Sequence, residues 1–268
     1  MNQLRNYFVL AVLVLSACIL YILKSKTDEP APTTRTVTLP KIEIEEDVRG
    51  NIVIIIDDFG YRDDNVSEGF LLLDANLTFA VIPGHHNSKV FAAKAAQRGF
   101  EVIVHMPMES KTKTPGEKEY ILTTSMTSSE IEKRVEQVIA EFPEAVGMNN
   151  HQGSKATADK RIMNIVSNIL KRHGKYFIDS RTTAETVAET TMRSRGIPTM
   201  RRHVFLDNEN KKIKIREQLY KLVDKAESKG LGVGIGHAKL NTFEVLKEEI
   251  PKLKEYGFKF RFASFSVK

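Results

Sequence analysis

The feature that most constrains the fold of this chain is a run of consecutive β-branched residues, Ile52-Val53-Ile54-Ile55-Ile56, that ends directly in two carboxylates, Asp57 and Asp58. A strand with one wet face alternates apolar and polar residues. An unbroken apolar run reads instead as a strand buried on both faces, as in a parallel sheet. Similar runs recur at 77–82, 101–104, 145–148, 175–178, 232–235 and 259–262. Between them lie patterns of helical period: Ile131, Val135, Val138 and Ile139; Ile162, Ile165, Val166, Ile169 and Leu170; Ile215, Leu219, Leu222 and Val223. About seven strands alternating with helices predict an α/β fold with a mostly parallel sheet, as a barrel or a doubly wound sheet.

Polar clusters close these strands: Asp57-Asp58, His85-His86, His105, Asn149-Asn150-His151, Asp179 and His237. In a (β/α) barrel the C-terminal strand ends form one face, and that face carries active sites. Core packing does not call for polar residues there, so the placement favours an enzyme over a structural protein.

Composition narrows the chemistry. Cys18 is the single cysteine, so the region from Asn51 onward has no disulfide, no thiol nucleophile and no Cys-ligated zinc. A metal there must be held by His and carboxylate. The net charge of +6 comes from 40 basic and 34 acidic residues that are interspersed. Nucleic-acid binding would call for a stripe of one sign, and none is present.

Residues 7–23 carry no charge, with Arg5 before them and Lys24 after. As a helix they span about 25 Å, slightly short of a hydrocarbon core. We read residues 1–24 as an N-terminal membrane anchor or signal segment. As an anchor it sits in the bacterial inner membrane, with the domain in the periplasm or outside. Leu15-Ser16-Ala17-Cys18 also fits a lipoprotein signal lipidated at Cys18, and a cleaved secretory signal is the third reading. All three export the rest of the chain. Residues 25–50, with Pro30, Pro32 and Pro40 and little apolar periodicity, read as a flexible linker. Residues 51–268 are the catalytic-type domain.

Adjacent carboxylates at a buried strand end repel each other unless a cation or a proton separates them. Neighbouring strand side chains diverge, so one carboxylate can bind a metal while the other faces substrate as a base. A helix N-cap or a solvated turn accounts for the pair equally simply.

Strand-Asp57-Asp58-Phe59-Gly60 resembles the first motif of the polysaccharide deacetylases, whose fold is a distorted (β/α) barrel. The resemblance implies that Asp57 is the catalytic base and Asp58 a metal ligand. His105-Met-Pro-Met-Glu109 stands where the family has His-x3-His, so His105 is the implied second ligand and Glu109 replaces the usual His. Asn149-Asn150-His151-Gln-Gly153-Ser154 resembles the divergent branch of the family, and His151 is the candidate for the missing third ligand. Gly232-Val-Gly-Ile-Gly236-His237 matches the family's last motif, in which the His protonates the departing amine. The glycines keep the backbone slim beside a pocket, or relieve packing. Asn150, Asp179, Arg181 and Glu109 are possible supporting residues: Asp179 to orient His237 or His151, and Arg181 to pair with Asp57.

The expectation is a hydrolase that acts on N-acetyl groups of an envelope or extracellular polysaccharide, using a divalent metal, with Zn²⁺ first in line for a His/carboxylate set. The altered second motif leaves two alternatives: a non-catalytic metal- or glycan-binding envelope protein on the same scaffold, and a glycan esterase.

Overall fold

A computed structural model describes residues 15–22, 24, 48–112 and 116–267. The chain divides into two compact units, Met1–Ile44 and Glu45–Lys268. In the first, residues 15–22 and 24 are helical, and the side chains of Leu15, Leu20 and Tyr21 are exposed. Among the described residues no helix is long and apolar enough to cross a membrane. The larger part of the 7–23 segment, and nearly all of the 25–50 linker, lies outside the described residues.

The second unit is built on β1 (Gly50–Phe59), β2 (Thr78–Val81), β3 (Glu101–Met108), β4 (Gly147–Gln152), β5 (Tyr176–Asp179), β6 (Thr199–Arg201), β7 (Val204–Phe205), β8 (Leu231–His237) and β9 (Phe258–Arg261). Every pairing is parallel, in the order β6-β5-β4-β3-β2-β1-β8-β7. The ninth strand shares an edge of β1 with β2: β9 pairs with Gly50 to Val53, and β2 takes over from Ile55.

The parallel α/β architecture is the expected one, but the sheet is a half-barrel and not a ring closed by a ladder. Its two outer strands, β6 and β7, are consecutive in the chain and do not pair. Instead the chain crosses from one edge to the other: Arg202 N–H donates to Asp179 O on β5 at 3.0 Å, and His203 N–H donates to Val233 O on β8 at 2.8 Å. These two strands also account for the count exceeding seven. Thr-Met-Arg and Val-Phe are too short to carry any periodic signal.

Alternation along the strands divides the core in two. Val53, Ile55, Ile103, Ile178, Val233 and Ile235 form the inner cluster. Ile52, Ile54, Ile56, Val102, Val104 and Phe177 face outward against the helices. That is why the runs are apolar throughout: both faces are covered, and each Ile so buried contributes roughly 1.5–3 kcal/mol. The helices meet the outer layer with the predicted stripes, for example Ile131, Val135, Val138 and Ile139 of Ser128–Glu141. That helix is started by a capping box between Thr127 and Glu130.

A candidate metal centre flanked by two acid–base groups

The inward phase of each strand runs from apolar core to polar strand end. Val53 and Ile55 lead to Asp57, Ile103 to His105, Ile178 to Ser180, and Val233 and Ile235 to His237. On β4 the same phase carries Asn149 and His151. Register aligns them, with Asp57 opposite His237, His105 opposite Asn149, and Pro107 opposite His151.

Asp58 breaks this phase. It adopts φ 69°, and the β1–β2 register shifts between Ile56 and Phe59. Left-handed backbone is tolerated by Asp better than by most residues. Neighbouring strand residues were expected to diverge; this bulge instead turns both carboxylates toward one imidazole. His105 Nε2 lies 3.6 Å from Asp57 Oδ2 and 3.3 Å from Asp58 Oδ1.

Asp58, His105 and His151 converge. Asp58 Oδ1 is 3.2 Å from His151 Nδ1, and the two ring nitrogens are 3.0 Å apart. Ligands at ~2.0–2.2 Å from a tetrahedral ion stand about 3.3 Å from one another, so this triangle has the right size. Asp58 Oδ1 is buried and has no hydrogen-bond partner. An orphaned carboxylate oxygen facing two imidazole nitrogens fits a cation, and the three residues form a candidate metal site. Burial alone would raise the Asp58 carboxyl; the imidazoles of His105 and His151 beside it and the charge of His237 outweigh it and hold the group well below the usual carboxylate range. Burial opposes charge on His105 too, but Asp57, Asp58 and the bond to Asn149 push it up to about 9.

Asn149 ties His105 to the neighbouring carboxylate. Its Oδ1 accepts from His105 Nδ1 at 2.7 Å, and its Nδ2 donates to Asp57 Oδ1 at 2.8 Å. This network assigns a proton to Nδ1, so Nε2, which faces Asp58 and His151, is the nitrogen whose proton a cation would replace. Asp57 itself is buried, and desolvation together with the Asp58 charge raises it against the pull of His105 and His237.

His237 stands on the opposite side, with Nε2 3.9 Å from Asp58 Oδ2. Its Nδ1 donates to Asp207 Oδ1 at 2.8 Å. Burial would lower the imidazole, but the Asp207 bond and charge outweigh it and raise its pKa. Asp207 and Asn149 are the residues that sequence reasoning undervalued. Asp207 carried a signal, since Phe205-Leu206-Asp207 repeats the pattern of apolar residues closing in a carboxylate.

The supporting candidates are engaged elsewhere. Glu109 accepts from Thr124 N and Oγ1 and from Lys155 Nζ, each at 2.7 Å, so it pins loops and does not join the metal triad. Asn150 Nδ2 donates to Gln152 O and its Oδ1 accepts from Ser180 N, which fixes the turn after β4. Asp179 accepts from Arg181 N and Thr186 Oγ1; of the two histidines it was expected to orient, His237 is held by Asp207 instead, and His151 Nδ1 lies 3.0 Å from His105 Nε2. Arg181 makes no ion pair with Asp57. The glycines of β8 face away from the pocket: a Cβ on Gly232 or Gly234 would strike Leu222 in helix Lys212–Lys229. Packing is therefore their reason.

Residues 54–266 match the family described as divergent polysaccharide deacetylase. The chain belongs to this family. Curated proteins similar to this chain include the uncharacterized protein YibQ of Escherichia coli strain K12, 36% identical over 204 residues. That match covers 76% of this chain and 63% of the relative, so the chain spans less than two thirds of that protein's length. Among solved structures, an uncharacterized protein of Agrobacterium tumefaciens C58 superposes with a TM-score of 0.76 at 18% identity, covering 81% of this chain and 89% of that one. The catalytic domain of the peptidoglycan N-acetylglucosamine deacetylase from Eubacterium rectale gives 0.50 at 16% identity, covering 80% and 90%. At these identities the likeness is one of fold.

Proposed function

We propose that this domain is a metal-dependent hydrolase that removes N-acetyl groups from an envelope or extracellular polysaccharide. One observation carries the reading: Asp58 Oδ1, buried and unbonded, lies 3.3 and 3.2 Å from ring nitrogens of His105 and His151. Asp57 and His237 flank it on the same face. The fold shared with a peptidoglycan N-acetylglucosamine deacetylase and the family itself support the amide of an N-acetyl sugar as the bond cleaved.

Asp58, His105 and His151 would hold the ion, and two imidazoles with one carboxylate suit Zn²⁺. Such an ion supplies Lewis-acid polarisation of the acetyl carbonyl and makes a water more acidic. Asp57 takes the proton of the attacking water at Oδ2, because Oδ1 is committed to Asn149. Its burial strengthens it as a base. His237 delivers a proton from Nε2 to the departing amine, and its raised pKa keeps that proton in place near neutrality.

The test is release of acetate from N-acetylglucosamine polymers, with and without a chelator. Chelator-sensitive release is expected. Retention of metal and glycan without acetate release, from amide or ester, would establish a non-catalytic binding protein instead. Residues 1–24 are proposed as the inner-membrane tether that places this activity outside the cytoplasm. Residues 1–50 fused to a reporter should carry it to the membrane fraction, and Cys18→Ser should leave that unchanged; its loss would establish the lipoprotein reading.

A further inference from the structure

Beside the metal triad the inward face opens into a cavity of 390 Å³, bordered by Asp57, His105, His151 and His237 on one side and by Ser180, Arg181 and Arg202 on the other. The second side has nothing to do with holding an ion or moving a proton, yet it is unusually built. Ser180 follows Tyr176 and Ile178 in the inward phase of β5 and is 5% exposed. Its hydroxyl is buried without a hydrogen-bond partner among the described residues. Its backbone is fully occupied: the N–H by Asn150 Oδ1 and the carbonyl by Arg202 Nε. The orphan is thus the one group of Ser180 left for something else.

Arg202 is held in place by main chain and not by charge. Nε donates to Ser180 O at 2.8 Å, Nη2 donates to Arg181 O at 3.1 Å, and the guanidinium lies 4.6 Å from the centre of the Phe205 ring. Nη1 remains. Arg181 stands in the left-handed region at φ 54°, and Gln152, on the same cavity wall, does so too at φ 54°. Such conformations in residues other than glycine gather at ligand sites. Neither arginine forms an ion pair among the described residues. The carboxylates that Arg202 feels, Asp57 and Asp179, are bonded elsewhere, to Asn149 and to Arg181 N and Thr186.

We propose that this cavity binds a carboxylate of the substrate, and that the protein acts on an acidic polysaccharide in which a carboxylate lies on or next to the N-acetylated sugar. The proposal rests on the deacetylase reading above. A pre-anchored guanidinium, a second one beside it and a buried hydroxyl together form a donor set for an oxyanion, and charge-assisted bonds of this kind are the strong ones. A neutral glycan would offer this donor set no oxyanion.

The test compares binding of chitotetraose, which carries N-acetylglucosamine alone, with a hyaluronan tetrasaccharide, in which that sugar alternates with a uronate. Calorimetry at low salt is run on the whole protein and on Arg181→Gln and Ser180→Ala; Arg202 is left alone because it neighbours Asp57. The acidic tetrasaccharide is expected to bind about tenfold tighter, and Arg181→Gln to remove about tenfold of that preference while leaving chitotetraose binding unchanged. Ser180→Ala should remove a smaller part in the same direction. Equal affinity for the two glycans, or a preference that survives both substitutions, overturns the proposal. So does displacement of the acidic tetrasaccharide by acetate or inorganic phosphate at comparable concentration, which would make the cavity a general anion site. Acetate release from chitotetraose without any preference for the acidic glycan removes this proposal alone. Absence of binding and of acetate release with every glycan removes the deacetylase reading with it.

Discussion

Asp207 grips His237 at two points: Oδ1 accepts the ring Nδ1–H at 2.8 Å and Oδ2 accepts the backbone N–H at 2.9 Å. Thr242 Oγ1 donates to the same Oδ2 at 2.9 Å, so the carboxylate cannot swing. Ring and backbone fixed together leave Nε2 one direction to point. The Asp207 charge also raises the His237 pKa against burial. A general acid works protonated, so activity should fall as pH rises through that pKa. Asp207→Asn removes the charge, lowers the pKa and should move the alkaline limb of the kcat/KM profile to lower pH, with metal content unchanged. A limb that stays in place would remove His237 from the acid role.

The two adjacent carboxylates should separate on substitution. Asp58→Asn takes a charge from the triad and should reduce metal content and activity together. Asp57→Asn should keep the metal, since an amide oxygen still accepts from Asn149 Nδ2, while the rate falls by ~10²–10⁴ with loss of the base. Metal analysis beside acetate release decides it. If the pair merely capped a turn, the two Asn variants would behave alike.

Asn149→Ala should act on both groups at once. It frees the His105 ring and removes a bond to Asp57. Partners behind a metal-binding His typically change affinity by ~10–100-fold, and a loss of that order is expected by chelator competition. Asn149→Asp should not rescue it, because it puts a third carboxylate against Asp57 and Asp58.

Metal uptake should depend on pH through His105. In the metal-free protein this imidazole holds its proton up to about 9. Ligation needs the neutral ring, so below that pH each ion bound expels a proton. Apparent affinity should therefore rise about tenfold per unit between pH 7 and 8 and flatten above 9. Calorimetry in two buffers of different ionisation enthalpy measures the proton directly. No proton release at pH 7 would show that the His105 ring is already neutral there in the metal-free protein, against the raised pKa.

Much of this was legible in the sequence, and the parts that were not share a physical cause. Unbroken runs such as Ile52 to Ile56 announce a strand covered on both faces, and a polar residue closing such a run is conspicuous. Asp57, His105 and His237 stand out for that reason. The half-barrel's seam did not, because Thr199–Arg201 and Val204–Phe205 are shorter than any period. The convergence of Asp57 with Asp58 depends on a bulge whose signature is one dihedral at Asp58. Asn149 reads as one of two equal amides beside His151; only inward phase gives it the site and leaves Asn150 to the loop. Arg201 and Arg202 are identical neighbours in the sequence, yet only Arg201 is exposed.

The glycines of β8 give a final separation between fold and site. A Cβ at Gly232 would stand 2.6 Å from Leu222 O and 2.9 Å from Leu222 Cδ1, on the helix side of the strand. The first contact is with backbone and cannot be relieved by a rotamer. Gly232→Ala should destabilise by about 1–3 kcal/mol, as overpacked cores do. In a domain of this size that lowers Tm by roughly 2–12 °C, without touching metal affinity. Gly236→Ala is gentler in space, since its Cβ would meet Thr242 Cγ2 at 3.2 Å. Thr242, however, supports Asp207, and Asp207 holds His237. That variant should melt closer to wild type while its alkaline limb moves in the direction of Asp207→Asn. Were both variants to alter Tm alone, the support that Thr242 gives Asp207 would be immaterial to the state of His237.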